Sequence, residues 1–161
     1  MAQRTIPVPE SFDLEAALGF LVYKAHQRSL GQFRRLLEPV RLTPPQFGVL
    51  ALLHERTGQR QSALCERGAV DPNAMVGIVD RLETAGLVAR VRDRDDRRAY
   101  LVRVTERGRR AFARCLPLQR RATQRCWAGL SHAERNRLRS LLQKALRSWK
   151  PLYAGEGPAH E

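Results

Sequence analysis

Thirteen arginines crowd residues 90–125 against only Asp93, Asp95, Asp96 and Glu106, a local net charge of +9 in a chain whose first 89 residues carry +1. The chemistry open to such a segment is capture of a polyanion, because guanidinium groups stay charged and present a planar fork of donors that matches phosphate. Nucleic acid is the commonest polyanion partner of a soluble basic protein, although charge by itself leaves RNA or a membrane surface open. Catalytic ingredients are poor. There is no GxSxG, no P-loop and no HExxH, and His26, His54, His132 and His160 have no recognisable nucleophile partner, so an enzyme is disfavoured. Cys65, Cys115 and Cys126 are odd in number and form no CxxC pair, which indicates neither a disulfide framework nor a zinc site and implies no metal or cofactor. They read as reduced thiols, either inert core residues or redox sensors.

The elements that position these arginines follow from periodicity and caps. With 161 residues and 43% hydrophobic composition, one domain with one sizeable core is expected. No run of 18 apolar residues occurs, and Met1 to Glu10 lacks the basic-then-apolar order of an export signal, so a cytoplasmic protein with no membrane partner is expected. From Ser11 to Val40, Leu14, Leu18, Leu21, Val22, Ala25, Phe33, Leu36 and Leu37 recur at threes and fours, predicting a long amphipathic helix capped by Ser11. Thr43 before Pro44 and Pro45 starts a second helix, apolar nearly all round and hence central to the core. Arg56 to Arg60 reads as a loop. Ser62 to Arg67 is a short helix stopped by Gly68, and Asp71-Pro72 starts another that buries Met75, Ile78, Val79 and Leu82 and ends at Gly86.

Two short helices about a tight turn are the helix-turn-helix layout. Leu87 to Val91 and Tyr100 to Val104 then predict a hairpin around Arg92 to Ala99, a charged wing following the recognition helix. Thr105 caps a helix running towards Trp127 with an expected kink at Pro117, and Ser131 with Glu134 forms a capping box for a last helix through Trp149. The fold class is therefore mainly α with a small β-hairpin wing. Residues 41–104 form the winged helix-turn-helix, 1–40 and 105–155 a helical dimerisation region, and 156–161 a frayed tail. The two chain ends carry more apolar surface than a small winged domain covers, and an isologous homodimer would bury it.

Specific residues carry a family resemblance. Leu42-Thr-Pro-Pro-Gln-Phe-Gly-Val-Leu50, Val79-Asp-Arg-Leu-Glu-Thr-Ala-Gly-Leu-Val88, Asp96-Arg-Arg98 and Thr105-Glu-Arg-Gly108 occur in an order and spacing that resembles the MarR family of bacterial winged-helix repressors over nearly the whole chain. The resemblance implies a dimer on a pseudo-palindromic double-stranded DNA operator, with recognition helices in successive major grooves and wings in the flanking minor grooves. On this sequence it makes Arg94 the minor-groove residue, read through shape as much as base identity, and Arg97 a phosphate contact. Asp96 with Arg98 is assigned to an ion pair that shapes the wing, and Arg97 and Arg98 could exchange roles.

Where relatives commonly show Thr-apolar-Ser/Thr-Arg, this recognition helix has Ala74, Met75, Val76 and Gly77. Asn73 could meet adenine or phosphate, or be only a first-turn helix residue; Ala74 and Val76 could meet thymine methyls; no bidentate arginine is available at 74–77. Gln61 and Ser62 are candidate backbone contacts. Shape, phosphates and the wing are therefore expected to carry much of the affinity.

The resemblance also implies release of DNA by a small aromatic carboxylate or phenolic effector, held by Tyr23, His26 and Arg41. His26 continues an apolar stripe, so it is either a satisfied core residue or a ligand and pH-sensitive group. The oxidation-sensing branch uses a cysteine in the first helix, and none precedes Cys65 here, which disfavours peroxide sensing. The alternative function is a non-specific or architectural nucleic-acid-binding protein. Only Tyr100 and Phe112 interleave the arginine-rich segment, too few stacking platforms for single strands, so a duplex is preferred.

Overall fold

Helix α1 (Leu18–Leu37) opens the computed structural model, which describes residues 12–96 and 98–148. It starts later than its apolar period predicts. Asp13 Oδ1 accepts the backbone N–H groups of Glu15 (2.9 Å) and Ala16 (3.2 Å), holding the chain in a turn that competes with the helix. Ser11, the expected cap, lies outside the described residues. A 3-10 turn (Glu38–Val40) follows, closed by Arg41 in the left-handed region at φ 55°. Helix α2 (Pro44–Glu55) begins on a capping box: Thr43 Oγ1 accepts from Gln46 N (3.4 Å) while Gln46 Oε1 accepts from Thr43 N (2.9 Å). As expected from its apolar circumference, α2 sits at the centre, touching α1, and Leu50 and Leu53 are fully buried.

Strand β1 (Gln59–Arg60), helix α3 (Gln61–Gly68), helix α4 (Pro72–Thr84), strands β2 (Val88–Arg92) and β3 (Tyr100–Val104), and helix α5 (Glu106–Cys126) complete the first of two compact units, which divide between Cys126 and Trp127. Of these, α3, α4, β3 and α5 touch α2. The segment 56–60, expected as a loop, ends in a strand. β1 pairs antiparallel with β3 through Gln59↔Val102 and Arg60↔Leu101, giving a three-stranded sheet in the order β1-β3-β2. Two residues show no period, and their pairing is fixed by Gln59, which is buried. Its Nε2 donates to the carbonyls of Leu52 (2.8 Å) and Arg56 (2.6 Å), and its Oε1 accepts from Arg67 (2.6 Å), so nothing polar is stranded.

Helix α3 does not stop on Gly68. Gly68 is its last helical residue, and Ala69 takes the left-handed position at φ 48°, with Val70 N bonded to Cys65 O and Ala69 N to Glu66 O. An L-residue there crowds its Cβ against the following carbonyl. Ala69→Gly is expected to raise stability by about 1 kcal/mol, read as a shift in the urea midpoint at unchanged slope.

Helix α5 runs unbroken through Pro117, packs against α1 and α2, and buries Phe112, Cys115 and Ala122, while its first turn seats Gly108 against Leu87 and Val104. Phe33, Phe47 and Phe112 bridge the three helices, with ring centroids 5.0 and 5.3 Å apart in edge-on and stacked geometry. Cys115 is fully buried and burial pushes its thiol up, as an inert core residue requires, whereas Cys126 is half-buried. In the second unit, Ser131 and Glu134 form the expected capping box of helix α6 (His132–Ser148), whose Leu141, Leu142 and Leu146 are exposed. Trp149 and the tail 156–161 lie outside the described residues. Among the described residues, no helix is long and apolar enough to cross a membrane, and no cluster of side chains could hold a metal.

Candidate nucleic-acid interface

The recognition helix α4 is fixed at both ends. Asp71 Oδ1 accepts from Asn73 N (2.8 Å) and Ala74 N (3.2 Å), the N-cap expected of an Asp-Pro start. At the other end Gly86 takes φ 69°, with Gly86 N bonded to Glu83 O and Leu87 N to Leu82 O. Met75, Ile78, Val79 and Leu82 are buried, as their spacing predicts, leaving Asn73, Ala74 and Val76 exposed. Ser62 is exposed and Gln61 half-buried in the first turn of α3, where Arg60 supplies no side-chain cap and the helix dipole favours an anion.

One residue that sequence reasoning passed over stands on this helix. A Cβ built on Gly77 would lie 3.4 Å from Arg81 Nη2, so the Arg81 guanidinium folds back over Gly77. An exposed guanidinium thus lies one turn beyond the segment 74–77, which has none of its own. The available signal was a glycine and an arginine at i and i+4, which are neighbours on a helix surface.

Arg90 on β2 ties α4 to the sheet. Its guanidinium pairs with Asp80 (2.6 Å) and Glu83, and its backbone N–H donates to Glu83 Oε1 (2.9 Å). That backbone bond, reinforced by the guanidinium, holds the Glu83 carboxyl below the usual range.

The wing turns on two aspartates. Asp93 N donates to Ala99 O (3.0 Å) and Ala99 N to Asp96 O (2.9 Å), closing the loop. Asp93 accepts Asp95 N (3.1 Å) and the Arg60 guanidinium (3.0 Å), and these two bonds, in that order, hold its carboxyl below the usual range. A depressed carboxyl stabilises the fold above its unfolded pKa, and this contribution is lost as pH falls through the still lower folded value. The expected ion pair between Asp96 and Arg98 does not form. In the structure the Asp96 carboxylate pairs with Arg60 (3.3 Å) and accepts only the backbone N–H of Arg98 (3.1 Å), because β1 brings Arg60 beside the loop. Arg94 and Arg98 are both exposed, and neither has an acidic partner among the described residues; Arg97 lies outside them. Arg92 lies over the Tyr100 ring at 5.5 Å.

The residues expected to hold an effector separate within one chain. Tyr23 and His26 are exposed on the same face of α1. Arg41 lies beyond the far end of that helix, whose last residue Leu37 is already roughly 20 Å from Tyr23 at the rise of an α-helix.

A helix-turn-helix with a capped second helix, followed by an arginine-tipped hairpin, defines a winged helix-turn-helix DNA-binding regulator rather than an enzyme. Residues 42–100 match the model of the MarR family. The transcriptional repressor NicR of Pseudomonas putida is 31% identical over 85% of this chain and 87% of its own length. Among solved structures, BpsR of Bordetella bronchiseptica, whose DNA binding is regulated by 6-hydroxynicotinic acid, superposes with a TM-score of 0.81 at 28% identity, covering 87% of this chain and 99% of its own. The repressor CouR bound to a 23-mer DNA duplex superposes with a TM-score of 0.78 at 31% identity, over 86% of this chain and all of its own. CouR of Rhodococcus jostii RHA1 has also been solved with p-coumaroyl-CoA. The chain belongs to the MarR family of transcription regulators.

Proposed function

We propose that this protein is a sequence-specific repressor, cytoplasmic and associated with the nucleoid, that binds a pseudo-palindromic duplex operator as a homodimer and releases it when a small aromatic acid or phenol binds. The observation that carries the reading is the wing: Asp93 and Asp96 spend their charge on Arg60 and the loop backbone, leaving Arg94 at the bend with no acidic partner among the described residues. On this reading residues 41–104 bind DNA. Asn73, Ala74 and Val76 meet base edges, Arg94 enters the minor groove, and Gln61, Ser62, Arg97 and Arg98 meet phosphates. Residues 1–40 and 105–155 dimerise, and the exposed Leu18, Leu21 and Val22 of α1 and Leu142 and Leu146 of α6 are the apolar surface that a partner would cover. A 23-mer DNA duplex and p-coumaroyl-CoA bound to CouR, and regulation of BpsR DNA binding by 6-hydroxynicotinic acid, support this scheme. Tyr23 and His26 then contribute a phenol and an imidazole to the effector site.

The test is a titration of duplex from upstream of the protein's own gene, against random duplex and single-stranded RNA, at several salt concentrations. Preference for the upstream duplex is expected, with affinity falling by about 100-fold or more between 50 and 200 mM salt. Equal affinity for all three would overturn the repressor reading in favour of an architectural protein.

A further inference from the structure

Arg60 stands where a helix usually takes its cap. The residue before a helix is ordinarily Ser, Thr, Asp or Asn, whose short side chain accepts the first free N–H groups. Arg60 gives α3 no such bond. Its backbone is nonetheless fixed on both sides, because it is the last residue of β1, paired with Leu101 of β3, and the residue from which α3 starts. The guanidinium therefore extends from a rigid root.

What it reaches is the wing. Arg60 Nη2 lies 3.0 Å from Asp93 Oδ2 and 3.3 Å from Asp96 Oδ2, and its Nε lies 3.3 Å from the same Asp93 oxygen. These two acids bracket Arg94 and Asp95. Asp93 directly follows β2, and Asp96 accepts Ala99 N (2.9 Å) where the loop returns towards β3. The Asp93 side chain is only 11% exposed, so its pair is screened by water less than a pair on open surface.

An exposed ion pair adds little to global stability, and that is not what this one is placed to do. Two carboxylates gripped by one guanidinium restrict the conformations of the loop between them. The framework they reinforce is slight, since Asp93 N to Ala99 O and Ala99 N to Asp96 O are the backbone bonds that span the loop. Arg90 ties α4 to β2 at the root of the wing. Arg60 ties the start of the helix-turn-helix to its tip.

We propose that Arg60 is a positioning residue for DNA binding: by holding Asp93 and Asp96 it sets where Arg94 stands relative to the recognition helix, so that the wing need not be ordered when the duplex arrives. The proposal rests on the reading that Arg94 enters the minor groove. The competing role is direct, with Arg60 leaving the acids to take a phosphate.

The experiment makes two measurements on Arg60→Gln and on Asp93→Asn, which removes the charge but keeps an acceptor for the Asp95 N–H. In the free protein, amide hydrogen exchange at Asp95 and Ala99, followed by NMR, is expected to quicken by about fivefold or more in both variants while the thermal midpoint stays at the parent's. On an operator with A·T-rich flanks, Arg60→Gln is expected to weaken binding about tenfold, but less than about twofold in an Arg94→Ala background, with the salt slope unchanged. On G·C-rich flanks its effect should shrink as that of Arg94→Ala does.

Unchanged exchange would overturn the proposal, because the loop would then hold itself. Equal losses in both backgrounds, with the salt slope lowered by about one, would also overturn it and make Arg60 a phosphate contact. A uniform loss on all duplexes with a lowered thermal midpoint would make it a residue of the fold alone. Exchange is read without DNA, so failure of the clamp is separate from failure of the groove reading. Faster exchange beside an Arg94→Ala variant of parental affinity would leave the clamp standing and overturn its role in DNA binding together with the groove reading.

Discussion

Gly108→Ala is expected to destabilise the fold by about 3 kcal/mol or more, at the upper end of overpacking costs and a large share of the ~5–15 kcal/mol that holds a domain together. A Cβ at Gly108 would stand 2.0 Å from the carbonyl oxygen of Leu87 and 2.9 Å from Val104 Cγ2. The first of these neighbours is backbone and cannot swing aside. The Leu87 carbonyl accepts Thr105 N (3.0 Å), and the Thr105 hydroxyl both donates to Gly86 O (2.7 Å) and accepts Gly108 N (3.0 Å). One methyl group would therefore push apart the end of α4, the start of β2, the end of β3 and the first turn of α5. An ordinary helical Gly→Ala change gains up to about 1 kcal/mol. Gly31 in α1, with nothing within 4 Å of a built Cβ, is the matching control and should be stabilised by that amount. Urea unfolding of both variants measures the contrast; a Gly108→Ala midpoint at or above the parent's would show that the α4–β2 turn yields more easily than its bonding indicates.

That glycine also marks what the sequence could and could not say. Its place in Thr105-Glu-Arg-Gly108 was visible as a motif, but the reason for it is a carbonyl 21 residues away, which no period encodes. What was legible was local and repeated. The caps at Thr43, Asp71, Thr105 and Ser131 announce themselves because a side-chain acceptor must sit within three residues of the N–H groups it satisfies, and the 75-78-79-82 spacing of α4 must turn inward as a stripe. What failed depended on distant partners or on local competition. Gln59–Arg60 became a strand because β3 offered an edge and Gln59 found three buried partners. α1 began late because Asp13 took the N–H groups its predicted first turn would have used.

The candidate site divides in the same way. That arginines gather after the recognition helix is a matter of counting, but which of them has a carboxylate to answer it is a matter of tertiary placement. Arg60, 33 residues before Asp93 and absent from the sequence-level site, answers two of the wing's three acids, Asp93 and Asp96. Asp96 and Arg98, two residues apart, were the obvious pair on paper, yet the short separation favours a turn in which the carboxylate takes the Arg98 backbone N–H and leaves its guanidinium in solvent. Arg81 shows the opposite case, a side chain whose reach over Gly77 gives an otherwise apolar recognition surface its guanidinium.

Arg94→Ala is expected to weaken operator binding by about 1–3 kcal/mol for each wing, hence roughly twice that for a dimer engaging both flanks, with the thermal midpoint of the free protein unchanged. The wing frame consists of the Asp93–Ala99 backbone bond, the Asp93 and Asp96 contacts to Arg60 and the Asp95 N–H, and none of these involves the Arg94 side chain. Truncation therefore removes a charge without loosening the loop that carries it. A groove-inserted guanidinium and a phosphate contact differ in what they leave behind. The first is sensitive to groove width, so the loss should be larger on operators with A·T-rich flanks than on G·C-rich ones, and Arg94→Lys should restore little of it. The second would weaken all duplexes uniformly, lower the salt slope by about one per wing, and be largely rescued by lysine. Fluorescence anisotropy on the two flank variants across a salt series separates these results, and an affinity unchanged on both would remove Arg94 from the interface and leave the recognition helix, with Arg81 at its surface, as the principal source of contact.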